Sequence, residues 1–186
     1  VLREARLLER IGSLSQARRA YVDAAKHFLE LQMWTQVWQA TIEGAIANRR
    51  YGTFSEAAKL LSNAERLWQS QKQPAWQIEW LLESAALAIA QAHFDRAKLL
   101  LREWNEIQAP QLKSAVVMAR YELLCAQLYE RLNDLDKSLL AYQEVYVFAN
   151  HQGESVLKRQ ALVGLGRLTR TYNPSSAVEM LLEAAR

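Results

Sequence analysis

At 186 residues the chain is long enough to bury a substantial core as one domain. A 51% hydrophobic, 23% charged composition with only 6 Gly and 3 Pro argues against a turn-rich β or α/β protein, and the abundant Ala, Leu, Glu, Gln and Arg favour helix. A net charge of +3 falls short of what nucleic-acid binders concentrate, the single Cys125 excludes an internal disulfide, and no apolar run reaches the roughly 18 residues of a membrane span.

Residues 1–12 carry Arg3, Glu4, Arg6, Glu9 and Arg10, which is no signal-peptide pattern, so a cytoplasmic location is expected. The chain opens on Val1 and closes on Arg186 inside a predicted helix, and it reads as a piece of a larger protein. Helices are predicted over 1–11, 15–31, 34–50, 55–71, 75–91, 95–108, 112–132, 136–151, 155–171 and 175–186. Pro74, Pro110 and Gly153 break three of the junctions, and the break near Gln32-Met33 is less marked. The stretch Tyr51 to Leu61 sets the pattern. Gly52 supplies the backbone freedom of a turn, Ser55 is the expected N-cap, and Ala57 is small where a neighbouring helix presses closest.

The same stretch recurs. Small residues fall at Ala17, Ala57, Ala97, Ser138 and Ala177, steps of 40, 40, 41 and 39. Two residues earlier stand Ser15, Ser55, Asp95, Asp136 and Ser175, all good capping residues, and four residues later stand Tyr21, Leu61, Leu101, Tyr142 and Leu181. A second small column lies in the preceding helices, at Ala5, Ala45, Ala85, Ala126 and Gly166. One residue is missing between Gly166 and Ala177, where Pro174 can preset the backbone. Each unit reads as a first helix (A), a turn and a second helix (B). Stacking such hairpins builds a continuous core that one hairpin cannot build alone.

These columns resemble the tetratricopeptide repeat family, whose unit of about 34 residues has small residues at its eighth and twentieth positions and a large one at its twenty-fourth. Leu165-Gly166 resembles the family's Leu-Gly pair, Tyr129 its eleventh-position aromatic, and Asn133-Asp134-Leu135 its turn. The period here is near 40, and the family's early Trp is replaced by Thr41, Leu81, Glu122 and Ala161. The longer unit is similar to the repeats of bacterial MalT-like regulators. The resemblance implies an all-α fold, a right-handed α-α superhelix of about five hairpins forming one repeat domain over residues 1–186. It implies a module that binds a protein or peptide segment in a concave groove, or else the inducer-sensing region of a MalT/LuxR-type transcription regulator.

The resemblance places the A helices along that groove. The candidate partner-binding residues are Ile42, Ile46, Arg49, Arg50, Leu82, Arg120, Leu123, Gln127, Arg131, Arg167 and Arg170. The arginines suit an acidic segment, because the guanidinium fork matches carboxylates; solvated or internally paired arginines are the alternative. Trp34/Trp38 and Trp76/Trp80 are spaced four apart, and form either an exposed aromatic strip or part of the packing. Trp68 and Trp104 read as packing residues, and Glu79 and Glu83 as a solvated stripe. His27, His93 and His151 have no ligand spacing, Cys125 reads as a small core residue, and Gly164-Leu165-Gly166 is not a phosphate loop. No catalytic residue, metal or cofactor is expected, nor direct binding of nucleic acid; self-association is compatible with the scaffold.

Overall fold

The computed structural model describes residues 1–185 (the backbone alone at Pro110); Arg186, expected at the end of the last helix, lies outside the described residues. Two compact units emerge, Val1–Gln91 and Ala92–Arg186. The first holds α1 (Leu2–Arg10), α2 (Leu14–Glu30), α3 (Trp34–Arg50), α4 (Phe54–Gln71) and α5 (Pro74–Ala90). The second holds α6 (Phe94–Glu106), α7 (Ala115–Arg131), α8 (Leu135–Gln152), α9 (Ser155–Thr169) and α10 (Pro174–Ala185). Within each unit every helix packs on the next, and an A helix also packs on the following A helix, α3 on α5 and α7 on α9. Among the described residues there is no strand. The all-α repeat architecture is therefore as expected, with odd-numbered helices in the A role and even-numbered helices in the B role.

The turns explain why the repeat is so regular. After α3, Gly52 takes φ +75°, its N–H donates to the Arg49 carbonyl, and the Thr53 N–H donates to the Asn48 carbonyl. That pair of bonds is the Schellman closure, which satisfies carbonyls left over at a helix C-terminus. The same pair closes α1 through Gly12 and Ser13, α2 through Gln32 and Met33, and α7 through Asn133 and Asp134. The weakly marked Gln32-Met33 junction is thus as sharp as the others, with Gln32 at φ +54°.

The expected capping column is corrected by two residues. The B helices begin at Leu14, Phe54, Phe94 and Leu135, so the N-cap positions are Ser13, Thr53, His93 and Asp134, and Ser15, Ser55, Asp95 and Asp136 lie inside the first turn. Because the closure uses the N–H of the residue directly after the left-handed one, only a C-cap, one left-handed residue and one N-cap fit between helices, as in Tyr51-Gly52-Thr53. Thr53 shows the consequence: its hydroxyl turns back to bond Asn48, at the Oδ1 atom (2.8 Å) and the carbonyl (2.9 Å), instead of capping α4. In the shortened last turn, Asn173 Oδ1 accepts from the Ser176 N–H, in advance of the predicted cap Ser175.

Both small columns are buried, from Ala5 to Gly166 and from Ala17 to Ala177. They meet across the hairpin: Ser138 Oγ donates to the Ala126 carbonyl at 2.9 Å. Tyr21, Leu61, Leu101 and Tyr142 are interior, but the fifth member of that column, Leu181, is 39% exposed. One B-to-A connection departs from the plan. α6 stops at Glu106, a 3₁₀ turn occupies Pro110–Leu112, and α7 begins at Ala115 instead of the expected 112.

Candidate partner-binding surface

The tryptophans do not lie as two separate pairs. Trp38 is 2% exposed and stacks on Trp76 of the next A helix, with ring centroids 4.9 Å apart and planes 6° from parallel. Its indole N–H donates to Glu79 at 2.8 Å. Trp80 is buried, donates to the Leu61 carbonyl at 3.0 Å and tilts against Trp68. Trp34 remains at the surface. Of the aliphatic candidates, Ile42, Leu82 and Leu123 are interior and Ile46 is half-buried.

The arginines divide into two groups. Arg49 on α3 reaches Glu83 on α5 at 3.0 Å, Arg50 reaches Glu9 on α1 at 3.2 Å, and Arg167 on α9 grips Glu130 on α7 through Nε at 2.9 Å and Nη2 at 2.8 Å. Arg6 and Glu43 make a further bridge from α1 to α3. These pairs link one A helix to the next, so the carboxylates that hold them come from this chain. Glu79 and Glu83 are consequently not a solvated stripe: Glu83 is 5% exposed and Glu79 accepts from Trp38. Arg120 is half-buried, and Gln127 is half-buried one residue beyond Ala126. Arg131 and Arg170 form the second group. Both are exposed, at the C-terminal ends of α7 and α9, and neither makes an ion pair among the described residues.

Glu130 joins two of the networks. Burial works to raise its pKa, yet hydrogen bonds from Arg167 and from the Tyr142 hydroxyl (2.7 Å) together hold the carboxyl below the usual carboxylate range. Cys125 is the reverse case. Burial pushes its thiol up to about 11 against the opposing hydrogen bond with Tyr121, so it stays protonated at neutral pH and is a poor nucleophile. Among the described residues no group of three or more His, Cys, Asp or Glu is placed to hold a metal, and no helix is long and apolar enough to cross a membrane.

A feature absent from the sequence reading lies on α7 and α8. A groove of about 330 Å³ opens there, lined by Ala115, Met118, Ala119, Val145 and Phe148, with Glu122 and Glu144 beside it. Burial, and then the charge of Glu144, push the Glu122 carboxyl up. No pattern along a single helix signals this groove, because its walls come from two different helices.

No protein-family model matches the chain, and no curated protein and no solved structure matches it.

Proposed function

We propose that this chain is a tetratricopeptide-like, non-enzymatic interaction module that holds an acidic segment of a partner protein along the A-helix face of its second unit. The observation that carries this reading is the pair of exposed arginines, Arg131 and Arg170, neither of which makes an ion pair among the described residues. They stand at matching ends of two A helices that pack on each other, beside the Arg167 guanidinium, which keeps about half its side-chain surface exposed. Arginine at a helix C-terminus complements the helix dipole whether or not a ligand is bound, so the scaffold can carry these charges unliganded. A bidentate carboxylate on each would orient a segment, and half-buried Gln127 and Val163 on the same helices would contribute contact area.

The test uses the full chain and a pair of fluorescein-labelled peptides of equal length, one rich in Glu and Leu and its twin with every Glu replaced by Lys. The acidic peptide is expected to bind, with the affinity lowered about tenfold or more by the double variant Arg131→Glu/Arg170→Glu and lowered by added salt. Equal binding by wild type and variant removes the reading. Arg50→Glu is the control for charge in general: Arg50 belongs to an internal pair, so its loss should act on stability before it acts on binding.

A further inference from the structure

The second unit contains a place where the repeat is one helical turn short. The B helices α2, α4 and α8 run 17, 18 and 18 residues, whereas α6 runs 13. The deficit of four to five residues is a little over one turn of helix. In the first unit the last turns of the B helices supply large side chains. Trp68, eleven residues beyond Ala57, lies against Trp80 of the following A helix. Phe28 holds the same place in α2, eleven beyond Ala17. Eleven residues beyond Ala97 the chain has Gln108, which is exposed and outside α6.

The following hairpin shows what is left uncovered. Val37 stands eight residues before the small residue Ala45 and is 7% exposed; Met118 stands eight before Ala126 and is 38% exposed. Beside Met118 the groove continues over Ala115 and Ala119 of α7 to Val145 and Phe148 of α8. Two carboxylates flank it, Glu122 and Glu144, and neither has a cationic partner among the described residues. An apolar slot beside unpaired negative charge suits a chain that presents an apolar side chain and a cation together.

We infer that this groove docks an amphipathic, basic helical segment of another protein, which supplies the turn that α6 lacks. One aromatic or branched aliphatic side chain enters the slot over Ala119 and Val145. A Lys or Arg one turn away reaches Glu122 and Glu144. The segment lies helically because helix-in-groove recognition reads side chains three or four residues apart, the spacing that puts one apolar residue and one cation on the same face. The inference is independent of the acidic-segment site at Arg131 and Arg170, which demands the opposite charge.

The experiment titrates the full chain into a fluorescein-labelled model peptide with Phe and Leu four apart on one face and Lys on the flanks. A twin carries Glu for every Lys. The basic peptide is expected to bind, and Met118→Asp and the double variant Glu122→Lys/Glu144→Lys are each expected to weaken it at least tenfold. Glu122→Gln/Glu144→Gln, which keeps shape and removes charge, should weaken it by less. Circular dichroism and thermal melting verify that each variant folds. Hydrogen exchange should show protection confined to the first half of α7 and the second half of α8. Equal binding of the two peptides, no binding of the basic peptide, or binding that the folded Met118→Asp variant leaves unchanged overturns the inference. So does a peptide-free dimer in sedimentation that Met118→Asp abolishes, because the occupant is then a second copy of the chain.

Discussion

Tyr21 and Tyr142 hold the same place in the first and fourth repeats, and each donates its hydroxyl to a glutamate twelve residues earlier, Glu9 at 2.9 Å and Glu130 at 2.7 Å. The arginine that completes the cluster differs. In the first unit Arg50 approaches Glu9 through a single contact of 3.2 Å and is about half exposed. In the second unit Arg167 forks onto both oxygens of Glu130 and also lies 3.4 Å from the Tyr142 hydroxyl. The glycines facing the two rings differ in the same sense. A Cβ at Gly44 would come 3.1 Å from Tyr21 Cβ and 3.3 Å from Leu60, whereas a Cβ at Gly164 would run into the Tyr142 ring itself. One motif has therefore been built twice, loosely in the first unit and tightly in the second. The tightness depends on position in the A helix that follows: the arginine stands five residues beyond the small residue Ala45 in the first unit and one beyond Gly166 in the second, and the glycine stands one before it in the first and two before it in the second.

The largest expected effect separates the two glycines. Gly164→Ala should destabilise the chain by about 1–3 kcal/mol, because a fully buried ring has no space to yield. Gly44→Ala meets contacts that give by a few tenths of an ångström, and the helix-propensity gain of about 1 kcal/mol should leave it near neutral. Urea unfolding of both variants measures the difference; equal losses would dissolve the distinction between the two sites.

A smaller effect concerns charge and pH. Glu130 has its pKa lowered in the folded chain, so its contribution is present above the unfolded carboxylate pKa and is lost as pH falls through the folded value. Hydrogen exchange in α8 and α9 should accelerate below the ordinary carboxylate range, and Glu130→Gln should remove that part of the acid sensitivity. Its cost at neutral pH should be about 1 kcal/mol, reduced from the usual value for a charged hydrogen bond because the pair is partly solvated. Acid profiles that coincide for wild type and Glu130→Gln would assign the transition to other carboxylates.

The smallest effect compares the arginines. Arg50→Ala should change stability by no more than about 0.5 kcal/mol, as an exposed single contact does, while Arg167→Ala should cost about 1 kcal/mol or more. Thermal melts of the pair suffice, and a larger loss at Arg50 would reverse the order of the two clusters.

Much of the fold was legible in the residues. The small columns and the roughly 40-residue period located the hairpins, and helix ends fell within about three residues of those observed, because periodicity and turn chemistry act over a few residues. The caps were misplaced by two because the Schellman closure, and not the side-chain oxygen, decides where the next helix begins. The candidate site was read less completely. Arg49, Arg50 and Arg167 were visible as a basic series, but their partners Glu83, Glu9 and Glu130 stand 34, 41 and 37 residues away. Spacing along one helix cannot report such pairs.

What the sequence alone determined is the repeat: which segments are helical, where they turn, and which small side chains let helices approach. Those outcomes follow from backbone preference and short-range packing, which adjacent residues encode. The tertiary structure decided which charges are already spent. It set Trp38 against Trp76 and Trp80 against Trp68, paired Arg49, Arg50 and Arg167 with carboxylates of neighbouring helices, and left Arg131 and Arg170 without ion pairs among the described residues. It also opened a groove beside Met118 between α7 and α8, which the pattern along either helix alone does not report.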